Sequence, residues 1–445
     1  DYLNAREAQP TVAIAYDSRI KSELFARTAA GVFAANGIRV HIYRELMPTP
    51  ALSFAVRHLG CSGGVVVTAS HNPAKYNGYK VYGSDGCQIT TKAAKEILGC
   101  IGRVDIFNGV KKMDFAHAVR EKLVCYIDTE TVDAYIRAVS AQSLSESTEE
   151  NRRIRKEMAI VYTPLNGTGR YCVTRTLREN GFENIVVVKE QEQPDGNFPT
   201  CPYPNPEIRE AMELGISWAE KTGSDLLLAT DPDCDRVGIA VKTKKGFTLL
   251  TGNEVGLLLL DYICRRRIAL GTMPERPVAV KTIVTIDMAK KIAEHYGVEM
   301  REVLTGFKFI GEQIGLLEQQ GEAERFILGF EESYGYLSGS YVRDKDGVDA
   351  SLLICEMAAY YREQGMTLWD AINQIYKKYG YCLNTLHSYT FEGVSGFEKM
   401  QAIMASFRED MPAEFGGRAV EAVSDYKNSV TRKKNGEEEA IDLPV

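Results

Sequence analysis

Residues 65–82, VVVTASHNPAKYNGYKVY, carry the pattern from which the fold of this chain is predicted. The run at 65–67 is apolar and β-branched, which indicates a buried strand. Pro73 lacks an N–H and disfavours a helical conformation in the residue before it, so the chain must turn soon after the strand. The pattern therefore places the Ser70 hydroxyl and the His71 imidazole at the tip of a strand.

The dipeptide Asn77-Gly78 is a strong turn signal, and we expect it to bring Lys80 back toward Ser70. A hydroxyl, an imidazole and an ammonium group gathered in this way suggest chemistry on an anionic group. The alternative is a loop in which Ser70 or Asn72 caps a helix, and for a lone Ser-Xaa-Asn-Pro sequence that alternative would be preferred.

The length and composition fit a multidomain globular protein. The 445 residues suffice for three or four domains of about 100–200 residues each. A formal net charge of −7 argues against nucleic acid as a partner, and no apolar run approaches the ~18 residues of a transmembrane helix. The ten cysteines have neither a C-x-x-C pair nor zinc-binding spacing, which is typical of a reducing compartment. We expect a cytoplasmic protein that binds neither membranes nor nucleic acid.

A strand, a helix, a glycine and a second strand follow one another three times along the chain. The predicted segments are 11–16, 22–36, Gly37 and 39–43 in the first copy, 158–162, 174–180, Gly181 and 184–188 in the second, and 278–281, 287–296, Gly297 and 299–303 in the third. This alternation is typical of a sheet with helices on its faces, each helix ending at a glycine.

Each copy also contains an apolar strand that runs into a polar loop. The three segments are VVVTASHNP at 65–73, LLLATDPDCDR at 226–236 and FILGFEESYGY at 326–336. Because ligand sites in α/β sheets collect beyond the carboxyl ends of strands, we expect these loops to converge on one cleft. The predicted fold class is α/β, with three tandem repeated αβα domains with mixed sheets around a central cleft, plus an incomplete C-terminal α+β domain.

Segments outside this plan are assigned as linkers or to the last domain. Predicted linkers are the charged stretch 143–156 and residues 265–276. Beyond about Tyr381 we predict a strand at 388–391, a helix at 397–407 and a turn at Asn435-Gly436.

Three aspartates stand at alternate positions of the second polar loop, namely Asp231, Asp233 and Asp235. Carboxylates spaced in this way can hold a hard divalent cation, for which Mg²⁺ is the natural candidate. Arg236 and Lys242 exclude an EF-hand, because they occupy the places of its invariant glycine and bidentate glutamate. An aspartyl-phosphate enzyme with Asp231 as nucleophile and a solvated acidic turn are the alternatives. Repulsion among uncompensated carboxylates favours the metal site over the turn.

Further polar groups lie in and after the third polar loop. Glu331, Glu332 and Ser333 can accept hydrogen bonds from sugar hydroxyls, although such a sequence also begins many helices. Lys345, in RDKDG at 343–347, is a candidate acid, base or phosphate contact, with a charged surface turn as the alternative.

Two more cations are candidates for anion binding. Lys308 lies in the glycine-bounded segment TGFKFIG at 305–311, which can approach a ligand closely. Arg19 follows the first strand and could bind phosphate through two hydrogen bonds. Either residue could instead be structural.

Taken together, these loops resemble those of the α-D-phosphohexomutase superfamily, the phosphoglucomutases and phosphomannomutases, over essentially the whole chain. TASHNP is similar to the family's phosphoserine loop, DPDCDR to its metal loop, FEES to its sugar-binding loop and TGFKFIG to its substrate-orienting loop. Four motifs in family order on three repeats are highly specific. The segment YNGYKVYGSDGCQI is most similar to the phosphoglucomutase branch that includes phosphopentomutases.

The resemblance implies an isomerase of carbohydrate metabolism that interconverts hexose 1-phosphate and hexose 6-phosphate. Glucose is the expected sugar, with mannose or pentose phosphates as alternatives. Hexose 1,6-bisphosphate is the implied intermediate and activator, and phosphoserine at Ser70 the implied phosphoryl carrier. The implied Mg²⁺ ligands are Ser70, Asp231, Asp233 and Asp235. The implied catalytic residues are Ser70, His71, Lys80, Arg19, Arg236 and Lys345, and the implied substrate-binding residues are Glu331, Ser333, Thr305, Gly306 and Lys308.

The resemblance also gives each predicted domain a role. Residues 1–142 would form the phosphoserine-loop domain, 155–265 the metal-binding domain, 275–381 the sugar-binding domain and 386–445 a partial C-terminal phosphate-binding domain. Small sugar phosphates are the expected partners of a monomer or homodimer. An aspartyl-phosphate hydrolase and a non-catalytic sugar-phosphate binder are the distant alternatives.

Overall fold

The computed structural model describes residues 1–146, 148–387, 389–391, 393–410, 412–441 and 443. They fall into two compact units, Asp1–Cys382 and Leu383–Val445. The larger unit contains three sheets built on one plan, which we call the first (residues 11–140), second (160–250) and third (252–379) repeats.

The first repeat is a five-stranded sheet flanked by helices. Its elements are β1 (Thr11–Tyr16), α1 (Ser22–Ala35), β2 (Arg39–Ile42), α2 (Thr49–His58), β3 (Gly63–Val67), β4 (Tyr79–Gly83), α3 (Thr91–Ile101), α4 (Phe115–Arg120), β5 (Val124–Tyr126) and α5 (Thr129–Ser140). The strand order is β4-β3-β1-β2-β5, with β4 antiparallel and the other pairs parallel. Strand β3 is buried along its whole length because it pairs on both sides, as its apolar sequence predicts.

The second repeat has the same parallel centre and a different edge. Helix α6 (Glu149–Glu157) precedes β6 (Ile160–Thr163), α7 (Gly169–Glu179), β7 (Ile185–Val187), α8 (Lys189–Glu192), α9 (Arg209–Thr222), β8 (Leu226–Thr230), β9 (Val237–Thr243) and β10 (Gly246–Leu250). The order is β10-β9-β8-β6-β7, in which β8, β9 and β10 form an antiparallel meander. The acidic loop therefore connects two paired strands, β8 and β9.

The third repeat is a four-stranded sheet with a large helical layer. Its elements are α10 (Gly252–Ala269), β11 (Val278–Thr282), α11 (Met288–Tyr296), β12 (Glu299–Val303), α12 (Phe307–Gln319), a 3₁₀ turn (Ala323–Arg325), β13 (Phe326–Phe330), β14 (Tyr336–Leu337), α13 (Gly347–Glu363) and α14 (Leu368–Tyr379). The order is β12-β11-β13-β14, with β14 antiparallel. All three sheets are mixed, which confirms the predicted fold class.

The predicted repeat is confirmed element by element, with small shifts at the boundaries. The largest shift is in α7, which begins at Gly169 rather than at residue 174. The glycines that follow α1, α7 and α11 all have positive φ, at 76° for Gly37, 88° for Gly181 and 67° for Gly297. A glycine adopts this conformation without a steric cost, which is why it marks the helix end in the sequence.

Both predicted linkers contain helix. Residues 149–156 of the charged stretch lie in α6, which packs against α13 and buries Asn151 and Ile154. Helix α10 continues to Ala269, past the predicted domain end at residue 265. It packs against α11, α13 and α14, so it belongs to the third repeat.

The smaller unit contains one helix and short antiparallel strands among its described residues. They are α15 (Gly393–Glu409), β15 (Glu414–Phe415), β16 (Arg418–Ala419), β17 (Ala422–Asp425), β18 (Val430–Lys433) and β19 (Glu438–Ala440). The helix and the Asn435-Gly436 turn are where the sequence predicts them. Of the predicted strand at 388–391, Ser388 lies outside the described residues, and residues 389–391 form no strand.

The apolar core runs through all three repeats. Helix α10 is buried on most of its surface, which explains the long leucine run at 257–260. Within the described residues, no helix combines the length and the apolar character needed to cross a membrane.

Candidate active site

Ser70 lies in a tight turn directly after β3. Its φ is +51°, a left-handed conformation that is uncommon outside glycine. The backbone N–H of Ser70 donates to Thr68 Oγ1 at 2.8 Å, and Thr68 Oγ1 in turn donates to Asp17 Oδ2 at 2.6 Å. Burial raises the pKa of Asp17 to about 6. The strained turn is therefore fixed from below by a buried hydroxyl and a buried carboxyl group.

Arg19 holds the same turn from the inside. Its guanidinium donates to the backbone oxygens of Ser70 at 2.6 Å, Pro73 at 3.0 Å and Tyr76 at 3.0 Å, and also to that of Asn72. Since the Nη atoms are engaged by carbonyl groups, Arg19 contacts the loop that carries Ser70 rather than facing an open phosphate site. This differs from the predicted two-bond phosphate contact, because the compact turn supplies four acceptors that the sequence does not reveal.

The three aspartates form a buried cluster at the end of β8. Asp231, Asp233 and Asp235 have no exposed surface, and one oxygen from each lies within 4.8 Å of the others. Cys234, with φ +53°, turns the backbone between them. Asp231 Oδ1 accepts the N–H groups of Asp235 at 3.1 Å and Arg236 at 3.0 Å, and its other oxygen faces Ser70.

Two oxygens of this cluster fit a cation. Among the described residues, Asp233 Oδ1 and Asp235 Oδ1 are buried without a hydrogen-bond partner. A buried carboxylate oxygen left in this way is costly, and hard oxygen ligands are those that Mg²⁺ and Ca²⁺ prefer. The donor set therefore suits a divalent metal ion.

Two lysines from different repeats face the aspartates. Lys80 Nζ lies 2.8 Å from Asp233 Oδ2 and 3.2 Å from Asp235 Oδ2, and Lys345 Nζ lies 2.9 Å from Asp235 Oδ2. Burial disfavours the charged form of each lysine, but the carboxylates outweigh it and raise the pKa of both. Both side chains are therefore ammonium groups at physiological pH.

The Ser70 hydroxyl reaches the acidic cluster. Ser70 Oγ donates to Asp231 Oδ2 at 2.7 Å, and His71 Nδ1 lies 3.2 Å from the same Oγ. Burial, together with the charge of Arg236, lowers the pKa of His71 to about 3. The imidazole is therefore neutral at physiological pH. The predicted meeting of Ser70, His71, Lys80 and the aspartates is present in the structure.

The third polar loop borders this cluster through Lys345. Gly335 of this loop packs against both Lys345 and Glu331, since a Cβ on Gly335 would lie 2.5 Å from Lys345 Cδ and 3.4 Å from Glu331 Oε2. Glu331 is buried, and its Oε1 accepts the N–H of Gly306 at 3.1 Å. The FEES loop therefore touches the residues that lead into α12.

The remaining predicted substrate residues lie near these two loops. Ser333 and Lys308 are half-buried and Thr305 is exposed. Lys308 Nζ lies 5.1 Å from the centre of the Phe309 ring. Glu332 turns away, because its Oε2 accepts the hydroxyls of Thr282 and Thr285 at 3.2 and 3.1 Å. Of the two adjacent glutamates, Glu331 is thus the one that faces Lys345.

Arg236 has a partner that the sequence did not suggest. Its Nη1 donates to Glu207 Oε1 at 2.6 Å.

Thr49 is a further residue of the site that the sequence did not suggest. Its hydroxyl donates to Asp233 Oδ2 at 2.8 Å. The only signal for Thr49 in the sequence is a polar residue between two prolines just after a strand.

The combination of groups suits transfer of a phosphoryl group. A hydroxyl able to carry the group lies against a metal-binding carboxylate cluster, and two fixed ammonium groups can offset the charge of the transferring group. A neighbouring loop with a buried carboxyl group can accept hydrogen bonds from a polyhydroxyl substrate.

Three protein-domain families match consecutive parts of the chain. They are described as phosphoglucomutase/phosphomannomutase alpha/beta/alpha domain I over residues 1–105, domain II over 133–246 and domain III over 251–379.

Similar proteins bear the same family name. The chain is 38% identical over 435 residues to a phosphoglucomutase of Staphylococcus aureus (strain bovine RF122 / ET3-1), which is 96% of this chain and 75% of that protein. It is 25% identical to a solved protein of Thermus thermophilus assigned as a phosphomannomutase, with a TM-score of 0.70 over 88% of this chain and 82% of that one. The open form of the Paramecium phosphoprotein pp63/parafusin, at 18% identity and a TM-score of 0.68 over 98% of this chain and 81% of that one, shares the fold. With three matching domains in order and this identity over nearly its whole length, the chain belongs to the phosphoglucomutase/phosphomannomutase family of the α-D-phosphohexomutase superfamily and is a hexose-phosphate mutase.

Proposed function

We propose that the chain interconverts α-D-glucose 1-phosphate and glucose 6-phosphate, with Ser70 as the phosphoryl carrier and glucose 1,6-bisphosphate as the intermediate. The proposal rests on Ser70 Oγ at 2.7 Å from Asp231 Oδ2, inside a buried cluster of carboxylates and ammonium groups. A phosphoryl group on Ser70 would lie against Lys80 and Lys345, which would offset its charge.

We further propose Mg²⁺ as the ion of the acidic loop. Asp231, Asp233 and Asp235 would hold it together with a phosphoryl oxygen on Ser70, and the two unpartnered Oδ1 atoms support this assignment. When bound, the ion supplies Lewis-acid polarisation of the phosphoryl group.

The proposed reaction has two transfers of opposite direction. In the first, the bond between phosphorus and Ser70 Oγ breaks and a bond forms from phosphorus to O6 of glucose 1-phosphate, while the proton of the 6-hydroxyl ends on Ser70 Oγ. The bisphosphate then turns over in the site. In the second, the phosphoryl group on O1 returns to Ser70 Oγ, and the Oγ proton ends on O1 of glucose 6-phosphate.

Residues around Ser70 have distinct proposed roles in these transfers. His71 Nδ1, at 3.2 Å and neutral, is within hydrogen-bond reach of the Oγ proton. Lys345 and Lys80 would offset the charge on the transferring group, and Arg19 would hold the turn in place. Arg236, fixed by Glu207, would add a further positive charge near the site.

The sugar would be recognised by the third repeat. Glu331 and Ser333 would accept hydrogen bonds from sugar hydroxyls, and Thr305, Gly306 and Lys308 would orient the substrate. The contact between Gly306 N and Glu331 Oε1 supports a single binding surface made by both loops. Mannose and pentose phosphates are the alternative substrates for the same chemistry.

The geometry disfavours Asp231 as the nucleophile of an aspartyl-phosphate hydrolase. Its Oδ1 accepts two backbone N–H groups, and its Oδ2 accepts the Ser70 hydroxyl. An attack on phosphorus through Oδ2 would require the Ser70 hydroxyl to move aside. Ser70, by contrast, presents a hydroxyl directly to the cluster.

The test combines a chemical and a kinetic measurement. Mass spectrometry should find acid-stable phosphate on Ser70 after incubation with a hexose bisphosphate, and the primed protein should convert glucose 1-phosphate faster than mannose 1-phosphate or ribose 1-phosphate. Ser70→Ala should lower turnover at least about a thousandfold, because the carrier is removed. The exposed Ser84→Ala is the matched control and should keep full activity. Acid-labile acyl phosphate, or activity retained in Ser70→Ala, would refute the phosphoserine assignment.

A further inference from the structure

The segment that carries Lys345 is held by side chains of the first repeat, although it belongs to the third. Ser53 Oγ accepts the N–H of Arg343 at 2.9 Å. Tyr135 OH donates to the carboxylate of Asp346 at 2.9 Å. The residues on both sides of Lys345 are thus attached to the repeat that contains Ser70.

Asp344 is the link between this attachment and the lysine itself. Its Oδ2 accepts the phenol of Tyr82 at 2.7 Å. Its Oδ1 accepts the backbone N–H of Lys345 at 2.9 Å and lies 3.4 Å from Lys345 Nζ. One carboxylate therefore receives a hydrogen bond from the first repeat and contacts both ends of the lysine.

Tyr82 also has a defined relation to the other lysine of the site. Lys80 and Tyr82 are two positions apart on β4, so their side chains lie on the same face of the sheet. Lys80 contacts Asp233 directly, whereas Tyr82 is linked to Lys345 through Asp344. Tyr82 is almost completely buried, and its hydroxyl bonds to this carboxylate.

We infer that Tyr82 is a positioning residue for phosphoryl transfer, which fixes the Lys345 ammonium group against the acidic cluster through Asp344. This inference rests on the proposed function. A lysine side chain has four rotatable bonds, so its ammonium group needs such a fixed partner to stay where charge develops. Because the Tyr82 hydroxyl bonds to Asp344 and Asp344 bonds to Lys345, the inference routes its effect on transfer through Lys345.

The test is a double-mutant cycle on the full chain, primed with glucose 1,6-bisphosphate and assayed with glucose 1-phosphate. Tyr82→Phe should lower kcat about tenfold with little change in KM. The reason is that it displaces the Lys345 ammonium group, which acts in the transfer step and does not bind the sugar. In the Lys345→Ala background, Tyr82→Phe should have no further effect on kcat. The Mg²⁺ affinity measured by calorimetry should not fall, because all three aspartates remain and the change moves only a cation away from Asp235.

Tyr296→Phe is the matched control, because it removes a phenol that donates to a carboxylate, Asp261 Oδ1, at 2.8 Å and away from the site. It should leave kcat unchanged. If Tyr82→Phe does not fold, Asp344→Asn replaces it and should show the same loss and the same dependence on Lys345. Provided that the wild type turns over, two results would overturn the inference. One is an equal loss of kcat from Tyr82→Phe with and without Lys345, and the other is no loss at all. An inactive wild type would instead overturn the proposed function, and the inference with it.

Discussion

Asp233 of the second repeat accepts two hydrogen bonds from Thr49 of the first. Thr49 Oγ1 donates to Asp233 Oδ2 at 2.8 Å, and the N–H of Thr49 donates to the backbone oxygen of Asp233 at 2.9 Å. Thr49 begins helix α2, so both donors come from the first residue of that helix. The conformation of the acidic loop therefore depends on the repeat that carries Ser70.

We expect Thr49→Val to weaken Mg²⁺ binding about tenfold. The isosteric change removes the hydroxyl that orients Asp233 but keeps the backbone contact, and groups that orient metal ligands typically contribute about 10–100-fold to affinity. Isothermal titration calorimetry measures the effect. Thr49→Ser retains the hydroxyl and should restore most of the affinity. Equal binding by the valine and serine variants would contradict this role of the hydroxyl.

The acidic loop itself should control the dependence of turnover on Mg²⁺. Asp233→Asn keeps the size of the side chain but removes one negative charge from the cluster, so Mg²⁺ affinity and kcat should fall together. The readouts are a Mg²⁺ titration of turnover and a direct binding measurement. Asp105→Asn, in an exposed turn of the first repeat, is the control. An unchanged Mg²⁺ titration for Asp233→Asn would argue against the metal site.

Most of the fold and the reacting groups could be predicted because their signals are local. A β-branched run, a turn at a proline and three alternating aspartates are each contained in about ten residues. Thr49 could not be predicted, because its partner Asp233 is 184 positions away. The local sequence does not distinguish Tyr82 from other tyrosines in strands, since its role depends on Asp344, 262 positions later. The sequence identifies Arg19 as a candidate residue but does not reveal its hydrogen-bond partners, because the carbonyl groups of residues 70–76 come together only when the turn has folded.

Arg19 should be needed for the conformation of the serine turn. Arg19→Lys keeps the positive charge but loses the planar fork that bonds to the carbonyls of residues 70–76. We expect faster hydrogen exchange in residues 68–78. We also expect kcat to fall about a hundredfold, because a small displacement of the Ser70 hydroxyl slows transfer by about that factor. Arg27→Lys, which changes an exposed pair with Glu23, is the control. Unchanged exchange in the turn would show that Arg19 has another role.

Asp349 should make the protein less stable as the pH rises from about 4 to about 7. It is buried near the start of α13, where its two oxygens accept the N–H and the hydroxyl of Ser338, each at 2.8 Å. Burial, with a contribution from the charge of Asp346, raises the pKa of Asp349 from 3.8 to about 7. The folded chain therefore binds this proton more tightly than the unfolded chain. The resulting stability is complete below about pH 4 and is lost as the pH rises to about 7.

Asp349→Asn removes this pH dependence and can keep both contacts to Ser338, with its oxygen accepting the N–H and its amide donating to the hydroxyl. The loss in the wild type amounts to at most about 4 kcal/mol across this window, from the shift in pKa. Relative to the wild type, the variant should gain thermal stability between pH 5 and pH 8, as followed by the unfolding midpoint. Asp105→Asn is the control. The N–H of Phe107 lowers the pKa of Asp105, so the stability that the ionised Asp105 contributes is lost only in acid. The unfolding midpoint of Asp105→Asn should therefore follow the same pH profile as that of the wild type between pH 5 and pH 8. Parallel profiles for Asp349→Asn and the wild type would mean that Asp349 is ionised throughout and that its ionised form is the one the fold stabilises.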